Sequence, residues 1–223
     1  GRAALTKLEL QCNALPELPA SFGELASLQS LELQHNQLKA LPAGFGSLRA
    51  LQTLDLQHNR LEALPPSLGD LAALRTLSLQ GNLLKSLPKG LRRLAGLRAL
   101  HLQDNEVSEL PADAGELGAL RSLDMPRNRL AALPEAFSLL AALQSLDLFQ
   151  NRLRCLPESF GRLRALQFAD LQENQLNSLP ASFGELESLE TLHLQGNRLT
   201  RLPPSFCALA RLRRLYLQQN QLA

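Results

Sequence analysis

Leucines return along this chain at a fixed interval, and the polar positions between them return with the same regularity. The stretch Leu51-Gln-Thr-Leu-Asp-Leu-Gln-His-Asn59-Arg-Leu-Glu-Ala-Leu-Pro65-Pro-Ser-Leu-Gly69-Asp-Leu-Ala-Ala73 has the order LxxLxLxxNxLxxLPxx(F/L)GxLxx, and this order fills the chain from end to end. Its asparagine recurs at Asn13, Asn36, Asn59, Asn82, Asn105, Asn128, Asn151, Asn174, Asn197 and Asn220, always 23 residues apart. We number repeat positions 1 to 23 from the first leucine of each unit. The alternation in LxLxx predicts a short strand with leucines on one side and variable residues on the other. One such strand buries nothing alone, whereas parallel stacking of all of them creates a shared leucine column. The asparagine at position 9 falls where the chain leaves the strand, and its amide is suited to satisfying backbone groups there. Proline at position 15 opens the return segment, and the xxFGxL that follows predicts a 3-10 or single-turn α element.

A period of this length with this leucine spacing is the signature of a leucine-rich repeat solenoid. The half-repeat LPxxFGxL, as in Leu18-Pro-Ala-Ser-Phe-Gly-Glu-Leu25 and Leu179-Pro-Ala-Ser-Phe-Gly-Glu-Leu186, resembles one intracellular subgroup of that family. The subgroup includes Ras-scaffold proteins, Ras suppressor protein, the Scribble and Erbin polarity scaffolds, plant Ras-group repeat proteins and bacterial repeat proteins. The expected fold is α/β, a right-handed horseshoe with a concave parallel sheet of about ten short strands and a convex side of short 3-10 or α turns. The expected organisation is a single domain over residues 1–223, with ten repeats, the last truncated, and no evident capping motif. The resemblance implies a concave face that binds another protein in signalling or adhesion complexes. The cysteine-cluster caps of extracellular members have no counterpart here.

Position 18 is occupied by Phe22, Phe45, Leu68, Leu91, Ala114, Phe137, Phe160, Phe183 and Phe206. Stacked, these predict an aromatic spine that thins in the middle, with weaker packing and a change of mobility or curvature around residues 88–118.

Charge narrows the function. A net charge of +2 with 20% charged residues gives no polyelectrolyte character, so nucleic acid is not an expected partner. The densest basic run, Lys85, Lys89, Arg92, Arg93 and Arg98, reads as a solvated face. No stretch of about 18 apolar residues exists to span a membrane. Cys12, Cys155 and Cys207 fall at three different repeat positions, which argues against a disulfide framework and for a reducing, cytoplasmic setting.

The informative residues are those the leucine order leaves free. Position 5, at the strand centre and facing the concave surface, carries Glu9, Glu32, Asp55, Ser78, His101, Asp124, Asp147, Asp170, His193 and Tyr216. Two blocks of three acids therefore stand in file at strand spacing, an arrangement that costs stability. Arginines at position 2 (Arg75, Arg98, Arg121, Arg213) and position 10 (Arg60, Arg129, Arg152, Arg198) are near enough to offset part of it. Either the surface compensates itself, or an acidic strip awaits a basic segment of a partner. Position 7 is glutamine in eight of ten repeats, which fits either an amide ladder or a solvated polar column. Its exceptions are Pro126 and Phe149, and Phe168 stands beside Ala169, which replaces a strand leucine. Exposed aromatics flanked by charge make an interaction site, the alternative being a bulge that turns Phe168 inward. The expected partner-binding residues are Asp124, Asp147 and Asp170 for charge, Arg127 for bidentate bonds, Phe149 and Phe168 as apolar anchors, with Glu32, Asp55 and Tyr216 on the same face.

Catalytic chemistry is not expected. Cys12, His35 and His58 share position 8, but a flat exposed row is poor geometry for zinc, and the acid blocks lack a calcium loop. Neither a phosphate-binding glycine loop nor a GxSxG elbow is found. No cofactor or metal is expected. The primary expectation is a non-catalytic protein-interaction module or scaffold in intracellular signalling, with a basic or small-GTPase-type partner. Two alternatives stand beside it: a structural or engineered scaffold that self-associates into homo-oligomers through uncapped ends, and the substrate-recognition arm of a larger enzyme or bacterial effector.

Overall fold

The computed structural model describes residues 4–223. Ten three-residue strands form one parallel sheet whose spatial order is the order of the sequence. They are β1 (Lys7–Glu9), β2 (Ser30–Glu32), β3 (Thr53–Asp55), β4 (Thr76–Ser78), β5 (Ala99–His101), β6 (Ser122–Asp124), β7 (Ser145–Asp147), β8 (Phe168–Asp170), β9 (Thr191–His193) and β10 (Arg214–Tyr216). Register follows the repeat without slippage: Leu31 pairs with Leu54, Leu54 with Leu77, and so along the array. The middle residue of each inner strand is buried and the residues on either side of it lie on the opposite face, as the two-residue period requires, with Thr191 of β9 also covered, its hydroxyl bonded by the Arg214 side chain. Among the described residues, no helix is long and apolar enough to cross a membrane.

Nine short 3-10 turns make the opposite side, from Ala20–Glu24 to Pro204–Ala208. Proline holds the residue before most of them in extended geometry, for example Pro42 at φ −62°, ψ 148°. Successive turns approach so closely that a Cβ at Gly161 would lie 1.9 Å from the Ser182 carbonyl oxygen. The expected aromatic spine is present. Phe137 and Phe160 stack with ring centres 6.4 Å apart, Phe160 and Phe183 at 5.9 Å, and Phe22 and Phe45 at 6.3 Å. Where the spine falls to Leu91 and Ala114, an apolar void of about 10 Å³ opens among Leu91, Leu110, Ala114, Leu117 and Phe137.

The asparagine file joins the coils. Asn59 accepts the Leu38 N–H at 3.0 Å and donates to the carbonyls of Leu33 (2.9 Å) and Leu56 (3.0 Å). The same three contacts recur along the inner array, so each asparagine closes its own turn and also the turn of the preceding repeat. The residue before it is left-handed throughout: His35, His58, Asp104, Arg127, Gln150 and Glu173 lie at φ 51–57°, with Gly81 and Gly196 at +64° and +66°. Glycine adopts this conformation at little cost and the others do so under strain, which the asparagine bonds hold in place.

Candidate functional site

The third residue of every strand projects from the sheet face opposite the leucine core, and these ten residues form a single file. Asp124, Asp147 and Asp170 sit side by side on β6, β7 and β8. Asp147 accepts the Phe149 N–H at 2.9 Å and Asp170 the Gln172 N–H at 2.9 Å, so each carboxylate is aimed by its own exit turn. Both titrate above the ordinary aspartate range. Burial is the main cause in each case; Asp170 and Asp124 add to it at Asp147, and Glu173 adds to it at Asp170. Asp124 lies 2.5 Å from His101 Nδ1 and takes the Ser122 hydroxyl at 3.2 Å. Among the described residues Asp147 makes no ion pair.

Compensation by arginines at positions 2 and 10 is not what the structure shows. Arg129 pairs with Glu106 (3.2 Å) and Arg213 with Glu190 (3.8 Å), both away from the acid row. Among the described residues the direct ion pairs to the row come from histidines, His101 at Asp124 and His193 at 3.9 Å from Asp170, and Arg127 acts on Asp147 at longer range. In the first acid block Lys7 bridges Glu9 and Glu32, and Asp55 is held by the Gln57 side chain at 2.8 Å.

The leucine rich repeat family matches residues 3–61, 28–84, 49–107, 95–153, 118–176, 155–199 and 170–222, which together cover nearly the whole chain. The chain is a leucine-rich repeat protein. A leucine-rich repeat protein of Leptospira interrogans is 31% identical to it, with a TM-score of 0.61 over 98% of this chain and 67% of that one. The plant peptide hormone receptor RGFR1, solved in complex with RGF2, is 28% identical, with a TM-score of 0.71 over 97% of this chain and 40% of the receptor. The ectodomain of the Arabidopsis thaliana receptor kinase GASSHO1/SCHENGEN3, in complex with CASPARIAN STRIP INTEGRITY FACTOR 2, is 27% identical, with a TM-score of 0.68 over 92% and 31%. The chain thus spans less than half the length of either receptor structure. A search of curated protein sequences returned no match.

On this leucine-rich repeat face the structure sorts the remaining expectations. Phe168 keeps its register with Ser145 and Thr191, and Ala169 lies in the core, so the inward bulge does not form. Phe149 and Phe168 are both half-exposed beside the acid row. Phe168 continues into His193 at 5.6 Å and His193 into Tyr216 at 4.5 Å, giving a graded aromatic surface across β8, β9 and β10. Sequence reasoning missed His193 as a member of this surface, because its column was read for charge. Its signal was the diagonal from position 3 of one repeat to position 5 of the next.

Arg127 is a second correction. Its bidentate bonds are already made, to Asp104 Oδ1 at 2.6 Å and Oδ2 at 3.1 Å, because both residues occupy position 8 of adjacent repeats. The glutamine column forms one rung, Gln195 Nε2 to Gln172 Oε1 at 2.9 Å, rather than a ladder. The Oε1 atoms of Gln11, Gln34, Gln80 and Gln103 are buried and find no partner within the chain. His35 and His58 do stack, at 4.6 Å, yet among the described residues no three His, Cys, Asp or Glu side chains converge as metal ligands.

Proposed function

We propose that this leucine-rich repeat protein is a non-catalytic scaffold that binds a basic segment of a protein partner on its inner face, in an intracellular signalling setting. The observation that carries the reading is the row Asp124, Asp147 and Asp170, in register and half-buried, with Asp147 in no direct ion pair among the described residues and Arg127 acting on it only at longer range. Like charges abreast on a sheet cost stability, and a row that the fold neutralises only in part is complementary to a cationic ligand. Phe149 and Phe168 beside it supply rigid apolar area of the kind that anchors interfaces. Two of the similar solved structures were determined in complex with RGF2 and with CASPARIAN STRIP INTEGRITY FACTOR 2, which supports a binding role for the fold. Three cysteines that are free and exposed support a reducing compartment.

The test uses a fluorescent peptide of alternating lysine and serine, titrated against the wild-type protein, D147N/D170N and F149A/F168A. Each double variant is expected to bind about tenfold or more weakly, a loss of about 1.4 kcal/mol, while D147N/D170N melts no lower than the wild type and F149A/F168A stays folded at the temperature of the titration. Undiminished affinity in both variants would remove this site.

A further inference from the structure

Position 2 of the repeat lies just before the strand, and in three successive repeats it is Arg75, Arg98 and Arg121. Their backbones are locked in file: the Arg75 carbonyl accepts the N–H of Arg98 at 2.8 Å, and the Arg98 carbonyl that of Arg121 at 2.8 Å. All three side chains are exposed, and among the described residues none joins an ion pair, although Arg92, Arg93, Arg127, Arg129, Arg164 and Arg213 all do. Elsewhere the same column holds Gln29, Gln52, Gln144 and Gln167, so the fold does not require a cation there. Their backbones stand about one strand spacing (~4.8 Å) apart, so the like charges they carry repel one another.

The surroundings sharpen the point. Opposite these arginines the inner file reads Ser78, His101 and Asp124, the last already engaged by His101, so the acid row is interrupted where the basic column stands. The face therefore changes along the array: acidic over β1 to β3, basic at β4 and β5, mixed at β6 where Arg121 and Asp124 meet, and acidic over β7 and β8. Small residues flank the arginines on both sides. Thr76, Ala99 and Ser122 follow them, and Ala72, Ala73, Gly96 and Ala119 line a shallow depression of about 240 Å³ between Arg75 and Arg98. Arg75 and Arg98 line the same depression.

We propose that Arg75, Arg98 and Arg121 form a docking strip for the acidic face of a helix in a partner protein. The strip has room for about three charges before a longer polyanion meets Asp55 at one end or Asp147 at the other, which disfavours a nucleic-acid backbone. Spacing selects the helix. Carboxylates one turn apart advance by about 5.4 Å, close to the ~4.8 Å between strands, whereas same-side residues of an extended chain advance by about 6.6–6.8 Å. Across three arginines the helix drifts by little more than 1 Å and the extended chain by nearly 4 Å, so the helix meets all three with less side-chain rearrangement.

The test titrates the full chain and R75Q/R98Q/R121Q with three labelled probes. These are an alanine-rich helical peptide with glutamates at i, i+4 and i+7, a peptide of the same composition with the glutamates spread around the helix, and a thymidylate oligonucleotide. Glutamine is the residue of this column in neighbouring repeats, so the variant retains the wild-type melting curve. The striped helix is expected to bind the wild type at least about tenfold more tightly than either other probe, to lose about tenfold in the triple variant, and to weaken with salt. Equal binding of the triple variant, equal binding of the spread peptide, or tighter binding of the oligonucleotide would each overturn the proposal. D147N/D170N is expected to bind the striped helix as well as the wild type does. Loss of lysine-peptide binding with the striped helix retained, or the reverse, separates this strip from the acid row.

Discussion

The side chain of Asn105 holds the backbone of Leu84 in the preceding repeat, its Oδ1 accepting the Leu84 N–H at 3.0 Å. The same amide donates to the carbonyls of Leu79 at 2.9 Å and Leu102 at 3.0 Å, so one buried side chain satisfies three backbone groups. Replacing it with alanine leaves the Leu84 N–H without a partner and removes one of two amide donors from the Leu79 and Leu102 carbonyls, which keep those of Asn82 and Asn128, so N105A is expected to lose about 1–3 kcal/mol in urea denaturation. Asn13 is exposed and serves only the carbonyls of Leu10 and Gln11, so N13A should cost under about 1 kcal/mol. Equal losses would show that the bonds to the preceding repeat carry no weight.

Gly161 and Gly118 make a matched pair for the convex side. A methyl group at Gly161 would sit 1.9 Å from the Ser182 carbonyl oxygen, a backbone atom that moves only if the coil moves; at Gly118 nothing lies within 4 Å. G161A should destabilise by about 2–4 kcal/mol and G118A should stay within about 0.5 kcal/mol of wild type. Thermal melting of the two proteins decides it.

Ala114 stands over the apolar void, in a column filled by phenylalanine or leucine in the other repeats. A114V should raise stability by about 0.5 kcal/mol, since the void of about 10 Å³ accepts about one added methyl group and the surrounding leucines need shift little for the other. A fall in the melting temperature would mean that the neighbouring coils have closed around the alanine.

Asp147 holds its proton more tightly in the folded chain than in the unfolded one, because burial and the two flanking aspartates disfavour its charge. Its contribution is therefore most favourable below the ordinary carboxylate range, declines as pH rises toward its raised native value, and is constant above that. D147N keeps an acceptor for the Phe149 N–H and removes the charge. At pH 7 it should be more stable than wild type by about 0.2–1 kcal/mol, and the gain should vanish in acid. A gain of the same size at both pH values would exclude charge as its source.

The architecture was legible because it is written many times over. Leucine alternation, the asparagine file and the position-18 spine each follow from a column of like residues, and each appears where its column places it. The thinning of that spine was legible too, and the void lies under Ala114. Side-chain pairing within the variable columns was harder to read. Arg127 and Asp104 are 23 residues apart and adjacent in space, yet both belong to a column in which Cys12, His35 and His58 drew attention to metal chemistry. The left-handed turn in that column was visible only through Gly81 and Gly196, since histidine, aspartate and glutamate there gave no hint of positive φ. Among the described residues the glutamine column makes a single rung, and Gln57 gives its amide to the carboxylate of Asp55 instead, a choice set by a neighbouring column.

Every strand pairs only with the strands of adjacent repeats, and among the described residues contacts between elements follow the same rule. No tie runs from the early coils to the late ones. Under tension such a protein is expected to unspool turn by turn, each step resisted by one asparagine clasp and one row of leucines. Mechanically it is a spring, and whatever grips several coils at once sets its stiffness.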